Sequence, residues 1–181
     1  MLLPTDLAEV AEILRQIGEA GPSDDGLLVI DEALHSKFEG TQAGALKALG
    51  QWYNQPATDR IASFLESALL KKHAWALRGA AINQLAACLA FVDPDWALDR
   101  YFAQQNHLVQ YQLLPLVSAL PPQAIRARIL KELKANDAKT RLAALLIVRH
   151  GHFHDKKAIA CTLLTDEDSA VRRLARHVGA A

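Results

Sequence analysis

The sequence predicts an all-α protein, an α-solenoid of about five helical hairpins closed by a single C-terminal helix. Three observations predict it. Alanine and leucine dominate a 181-residue chain that is 51% hydrophobic but only 6% aromatic, and both are strong helix formers. Prolines and glycines fall between apolar segments of helical period, where they punctuate the chain. The third observation is an internal repeat.

Three segments align without gaps in their first halves: AWALRGAAINQLA from Ala74, DAKTRLAALLIVRHG from Asp137 and DSAVRRLARHVG from Asp168. Each places an apolar residue or Thr before an Arg, with Ala three positions on: Leu77-Arg78…Ala81, Thr140-Arg141…Ala144 and Val171-Arg172…Ala175. HLVQYQLLPLVSAL is a weaker copy with Gln110 in the arginine position. The steps from Arg78 to Gln110, from Gln110 to Arg141 and from Arg141 to Arg172 are 32, 31 and 31 residues. A fainter copy, TQAGALKALGQW, keeps Ala45 and Leu49. This period, without strand-like alternation, implies two helices per unit, each pair burying its faces only against its neighbours.

The elements follow in order. Helices over about 5–20 and 23–39 are separated by Gly21-Pro22-Ser23, and the faint copy covers about 41–54. Gln55-Pro56 precedes a helix over about 57–71, and the Ala74 copy runs over about 74–92. Pro94 opens about 94–105, the Gln110 copy spans about 108–119, and Pro122 opens about 121–135; proline suits a first turn, where its missing N–H costs little. In 121–135, Ile125, Ile129, Leu130 and Leu133 form one apolar stripe. The Asp137 copy covers about 137–150, Gly151 ends it, and helices over about 155–165 and 168–179 complete the chain. One domain of 1–181 is expected, with residues 1–40 a divergent repeat or cap.

DEDSAVRRLARHVG resembles the first helix of a HEAT repeat, including the bacterial HEAT-like repeats first noted in phycobilisome lyases. The matching residues are Asp168, Val171, Arg172 and Ala175, and then Asp137, Arg141 and Ala144. The Ala74 copy lacks the leading Asp, and the copies at Thr41 and His107 lack both Asp and Arg. The resemblance covers roughly residues 41–181 and implies an architecture rather than an activity. Asp137 and Asp168 are expected to cap their helices, and the four-residue spacing to Arg141 and Arg172 permits weak ion pairs.

Composition excludes several classes. No apolar run reaches the ~20 residues that span a bilayer, so no membrane insertion is expected. The start, MLLPTDLAEV, lacks a basic segment followed by an apolar one, so no leader is expected. Cys88 and Cys161 lie in apolar helical stretches and read as core thiols in a reducing cytoplasm. No phosphate-binding glycine loop, nucleophile elbow or kinase motif set is present, so no catalytic residue is assigned and no cofactor is expected. Nothing identifies a pigment site.

The zero net charge hides a gradient. Residues 1–40 hold nine acids against two bases, a balance of −7, and residues 126–181 hold twelve bases against six acids, a balance of +6. The acidic end and basic end together suggest head-to-tail self-association as one possibility. RHGHFHDKK carries His150, His152 and His154 at alternate positions. It reads first as a turn, with His150 welcome as a cation in the last turn of a helix and the three imidazoles as the alternative, a zinc site.

The expected function is a non-catalytic scaffold or adaptor that binds a protein bearing an acidic patch. In the HEAT arrangement the second helices line the binding face. Their candidate residues are Arg100, Tyr101 and Gln104 on one helix, Arg126, Lys131 and Lys134 on the next, and Lys157 on a third. The alternative is a HEAT-like nucleic-acid-binding or DNA-repair enzyme using the basic C-terminal half. The aromatics Trp52, Tyr53, Trp75, Trp96, Tyr101 and Tyr111 sit mostly at apolar helical positions, which favours core packing, and the acidic end would repel phosphate.

Overall fold

The computed structural model describes residues 6–71 and 74–180. Residues 1–5, which bear on the leader and on the first residue of the first helix, lie outside the described residues, as do 72, 73 and 181. Among the described residues there are eleven α-helices and no strand. They are α1 (Leu7–Ala20), α2 (Asp24–Leu34), α3 (Glu39–Trp52), α4 (Gln55–Leu69), α5 (Trp75–Ala87), α6 (Pro94–Phe102), α7 (His107–Ala119), α8 (Pro122–Glu132), α9 (Ala138–His150), α10 (Lys156–Cys161) and α11 (Ser169–Ala180). A 3-10 turn, Leu89–Phe91, follows α5.

The helices start where their caps place them. Asp6, Ser23, Asn54, Asp93, Asn106 and Asp137 each accept a backbone N–H from the first turn of the next helix, and Asp168 accepts from Ala170 N and Val171 N. Such bonds satisfy N–H groups that have no partner within the helix. Helices α2, α6 and α10 stop three to five residues earlier than their apolar pattern suggests. Pro115 is the exception to proline as punctuation. It lies inside α7, on its exposed side.

The chain forms two compact units, Met1–Val92 and Asp93–Ala181. In the first, α1, α3 and α5 pack side by side around small residues. A Cβ on Gly18 would lie 3.0 Å from Ala48 Cα and 2.0 Å from Gln51 Oε1, and one on Gly50 would lie 2.0 Å from Gln84 Oε1. At Gly18 the backbone of α3 leaves no room for a side chain, whereas at Gly50 the space is taken by the Gln84 side chain. The core here includes Leu14, Ile30, Leu46, Leu49, Ile61 and Leu65. In the second unit, α6 packs on α7, and α9 packs against α7, α8 and α11. Its core includes Leu98, Tyr101, Leu113, Ile125, Ile129 and Val171. No described helix is long and apolar enough to cross a membrane.

One repeat position holds both units' loops in place. Arg141 Nη1 donates to Ala135 O at 2.8 Å and Asn136 O at 2.9 Å. Arg172 Nη1 does the same to Asp166 O and Glu167 O, and Arg78 Nη1 to Ala68 O at 3.2 Å and Lys71 O at 2.8 Å. Gln110 Nε2 donates to Tyr101 O, and Gln42 Nε2 to Leu34 O and Ser36 O. Each side chain reaches back from its own helix and ties down carbonyls left at the end of the preceding one. The four-residue ion pairs do not form. Asp137 accepts from Thr140, and Arg141 instead binds Asp166 of the following hairpin through Nε and Nη2, both at 2.8 Å. That contact holds the Asp166 carboxyl below the usual carboxylate range.

Candidate functional site

Four of the seven expected partner-binding residues are carried by α8, the turn after it and α10. Arg126 and Lys131 are exposed on α8, Lys134 in the turn that follows it, and Lys157 on α10. Between the two helices lies a groove of about 520 Å³ whose apolar lining includes Leu130, Leu133, Ile159 and Leu163. The inward turn of each helix supplies that lining, and Lys134 and Asp155 border it.

The charges in this region are not equivalent. Arg126 forms a two-pronged pair with Asp155, Nη1 to Oδ1 at 2.8 Å and Nη2 to Oδ2 at 2.5 Å. Arg128 donates to Glu132 at 2.6 Å and to Asp99 on α6 at 3.0 Å. The carboxylates here are therefore taken up by arginines. Lys131, Lys134 and Lys157 form no ion pair among the described residues, and they are the cations open to an incoming carboxylate.

Asp99–Arg128 and Arg126–Asp155 each span 29 residues, as does Asp31–Arg60 between α2 and α4. These rungs join successive second helices. Sequence reading missed them; an acid–arginine offset slightly shorter than the repeat was the available signal. Exposed pairs of this kind contribute little stability; they set the register between neighbouring helices.

The other expected residues lie elsewhere. Arg100 is half-buried on α6. Tyr101 is a correction: it is 1% exposed, and its hydroxyl donates to Ala143 O on α9 at 3.2 Å. It is part of the core because α6 turns that position inward onto α9. Gln104 donates to Arg100 O and lines a different cavity, with Tyr101 as its neighbour.

Burial pushes the Tyr101 phenol above the ordinary tyrosine value. Above about pH 10 the unfolded chain releases this proton while the folded chain keeps it. The unfolded state then binds fewer protons, so stability falls as pH rises. Urea unfolding between pH 9 and 11 should show a decline of up to about 1.4 kcal/mol per pH unit. That part of the slope should disappear in Tyr101→Phe.

The histidine segment is a turn anchored by a phenylalanine. His152 and His154 are exposed, whereas Phe153 between them is 4% exposed. The alternation places the ring inward and both imidazoles in solvent. Partial burial, with Arg149 and Lys156 nearby, holds His150 below its ordinary value, which corrects the expectation of a favoured cation there. Among the described residues no three His, Cys, Asp or Glu groups converge as metal ligands do. Cys88 is buried, but Cys161 is exposed, because α10 turns Ile159 and Ala160 inward. Trp52 and Tyr101 are core residues, whereas Tyr53, Trp75 and Tyr111 are more than half exposed. Tyr53 caps α3 in a left-handed conformation, its ring edge-on to Phe91.

Stacked helix pairs tied by cross-repeat contacts define a helical-repeat protein. An archaeal HEAT-like repeats protein from Thermococcus onnurineus NA1 shares this fold, with a TM-score of 0.51, 16% identity, and coverage of 98% of this chain and 80% of that one. The chain thus has the fold of the HEAT-like α-solenoids. An engineered protein from a structural genomics consortium matches at TM-score 0.49 and 18% identity, covering 99% of this chain and 92% of its own. A designed armadillo repeat protein matches at TM-score 0.45 and 11% identity, covering 98% and 94%. No protein-family model matches the chain, and no curated protein does.

Proposed function

We propose that this protein is a scaffold or adaptor whose α8–α10 face binds a protein segment combining acidic and apolar side chains. The observation that carries this reading is an apolar groove bordered by Lys134, with Lys131 exposed on α8 and Lys157 exposed on α10, while the local acids are held by Arg126 and Arg128. Leu130 and Ala158, the less buried apolar lining, would receive the partner's apolar side chains over a floor of Leu133, Ile159 and Leu163. Lys131, Lys134 and Lys157 would orient it and speed encounter. Arg126 holds α10 through Asp155, so its replacement would disturb the face as well as its charge.

The test uses a labelled helical peptide with leucines at three- and four-residue spacing, flanked by glutamates. Lys131→Glu, Lys134→Glu and Lys157→Glu together should weaken its binding by about a hundredfold, roughly 2.7 kcal/mol, with unchanged circular dichroism. Added salt should slow association. Equal affinity in the triple variant would remove this face from the interface. Retention on duplex DNA at ~150 mM salt, with a steep salt dependence, would favour the nucleic-acid alternative.

A further inference from the structure

We infer that the partner of the α8–α10 face is a second copy of this chain, docking through its helix α2. The inference rests on the reading of that face as a site for an acidic and apolar segment, and it names the segment.

The sequence of α2, DDGLLVIDEAL, builds two unlike sides. Gly26, Val29, Ile30, Ala33 and Leu34 are buried. The opposite stripe, at three- and four-residue spacing, holds Asp24, Asp25, Leu28, Asp31 and Glu32. Leu28 lies at the centre of that stripe and is 68% exposed. Within its unit α2 packs on α3 and meets α4 through the Asp31–Arg60 pair. Neither neighbour covers Leu28, so its apolar area is left for another molecule.

Charge selects this occupant. Asp24 and Asp25 are exposed and enter no ion pair among the described residues. Asp31 is held by Arg60 at 3.2 Å, and Glu32 is engaged as well. Of the cations in the same unit, Arg15 is bound by Glu12 and Glu19, and Lys37 lies over the Phe38 ring at 5.2 Å. On the other face the signs are reversed. Lys131, Lys134 and Lys157 are exposed and uncommitted, while Asp155 and Glu132 are held by Arg126 and Arg128. Each surface therefore sets an uncovered apolar centre among uncommitted charges, acidic on α2 and basic on α8–α10. Leu28 would meet Leu130 and Ala158, and Asp24 and Asp25 would meet the lysines. The −7 balance of residues 1–40 and the +6 balance of residues 126–181 favour the same encounter at longer range.

One leucine in a groove of about 520 Å³ is a small contact. It falls below the area that stable dimers bury, so the association is weak, reversible and dependent on salt. The contact is also heterologous. A pair of copies keeps one α2 and one groove uncovered, and association continues with concentration unless a ring closes.

Sedimentation equilibrium of the full chain, from about 1 μM to about 1 mM, tests the partner. At about 0.05 M salt the weight-average mass should rise with concentration, and at about 0.5 M salt it should stay that of a monomer. Leu28→Ser should weaken self-association by about tenfold. Asp24→Lys with Asp25→Lys should abolish it. Both α2 variants should bind the labelled leucine–glutamate peptide as the parent does, whereas the triple lysine variant should lose the peptide and self-association together. The aspartate variant and the lysine variant, each a monomer alone, should associate when mixed, because one keeps the native groove and the other the native α2. Circular dichroism checks that each variant folds. A chain that binds the peptide but stays monomeric at low salt would overturn the second copy as partner and leave the face standing. Mass growth unmoved by the α2 variants, or a mixture that stays monomeric, would overturn it too.

Discussion

Replacing Phe153 with alanine should destabilise the C-terminal unit by about 3–5 kcal/mol. His152→Ala and His154→Ala should each change stability by no more than about 0.5 kcal/mol. The contrast follows from burial. Phe153 is 4% exposed, while its two neighbours are exposed. The ring lies against Gly151, where an added Cβ would come within 3.2 Å of Phe153 Cε2 and 2.9 Å of Ile147 O. Gly151 therefore provides room for the ring. Its backbone is extended, with φ −75° and ψ 178°, so it does not end α9 through a left-handed turn. Removing the ring leaves a void between the end of α9 and the start of α10 that this close packing cannot fill without movement. Urea unfolding followed by far-ultraviolet circular dichroism checks the three variants. A Phe153→Ala midpoint equal to that of His152→Ala would show that the turn is held by other contacts.

The same turn shows what sequence reading could and could not reach. HFH draws attention to its histidines because their chemistry is distinctive, but period two in an extended turn sends alternate side chains to opposite sides. The single apolar member was the inward one, and that signal was present in Phe153. All eleven helices were legible, since caps such as Asn54, Asp93 and Asp137 and breaks such as Gly21-Pro22 are local features. Exposure on α7 was not. HLVQYQLLPLVSA is apolar on nearly every side, so the pattern defines no outward face, and only the neighbouring helices decide that Leu108 and Tyr111 remain uncovered. The lysine face was half legible. Lys131, Lys134 and Lys157 could be placed on second helices from the repeat, whereas the pairing of Arg126 with Asp155 joins residues 29 apart across two helices. Tyr101 was misplaced although it shares one side of α6 with Ala97 and Leu98: the acceptor that lets its hydroxyl be buried is a backbone carbonyl, Ala143 O, which no sequence pattern marks.

The repeat arginine was visible as a motif, but its targets are backbone carbonyls, which every residue carries and no sequence pattern marks. Arg78 makes the consequence measurable. Its side chain is 3% exposed and donates to Ala68 O and Lys71 O, holding the end of α4 against the start of α5. Burial lowers the guanidinium's proton affinity, although arginine remains charged at neutral pH. Hydrogen bonds from a charged donor contribute about 1.5–3 kcal/mol, so Arg78→Met should destabilise the N-terminal unit by about that amount. Arg78→Gln should recover a substantial part of the loss, because Gln42 and Gln110 already perform this role with a single amide nitrogen. Charge would then be dispensable, and donor geometry would be the requirement shared by positions 42, 78, 110, 141 and 172. Chemical denaturation of the two variants, with amide exchange at Leu70 and Lys71 as the local readout, distinguishes the possibilities. If Gln performs no better than Met, the guanidinium's charge or its full reach is essential, and the equivalence among the five positions fails.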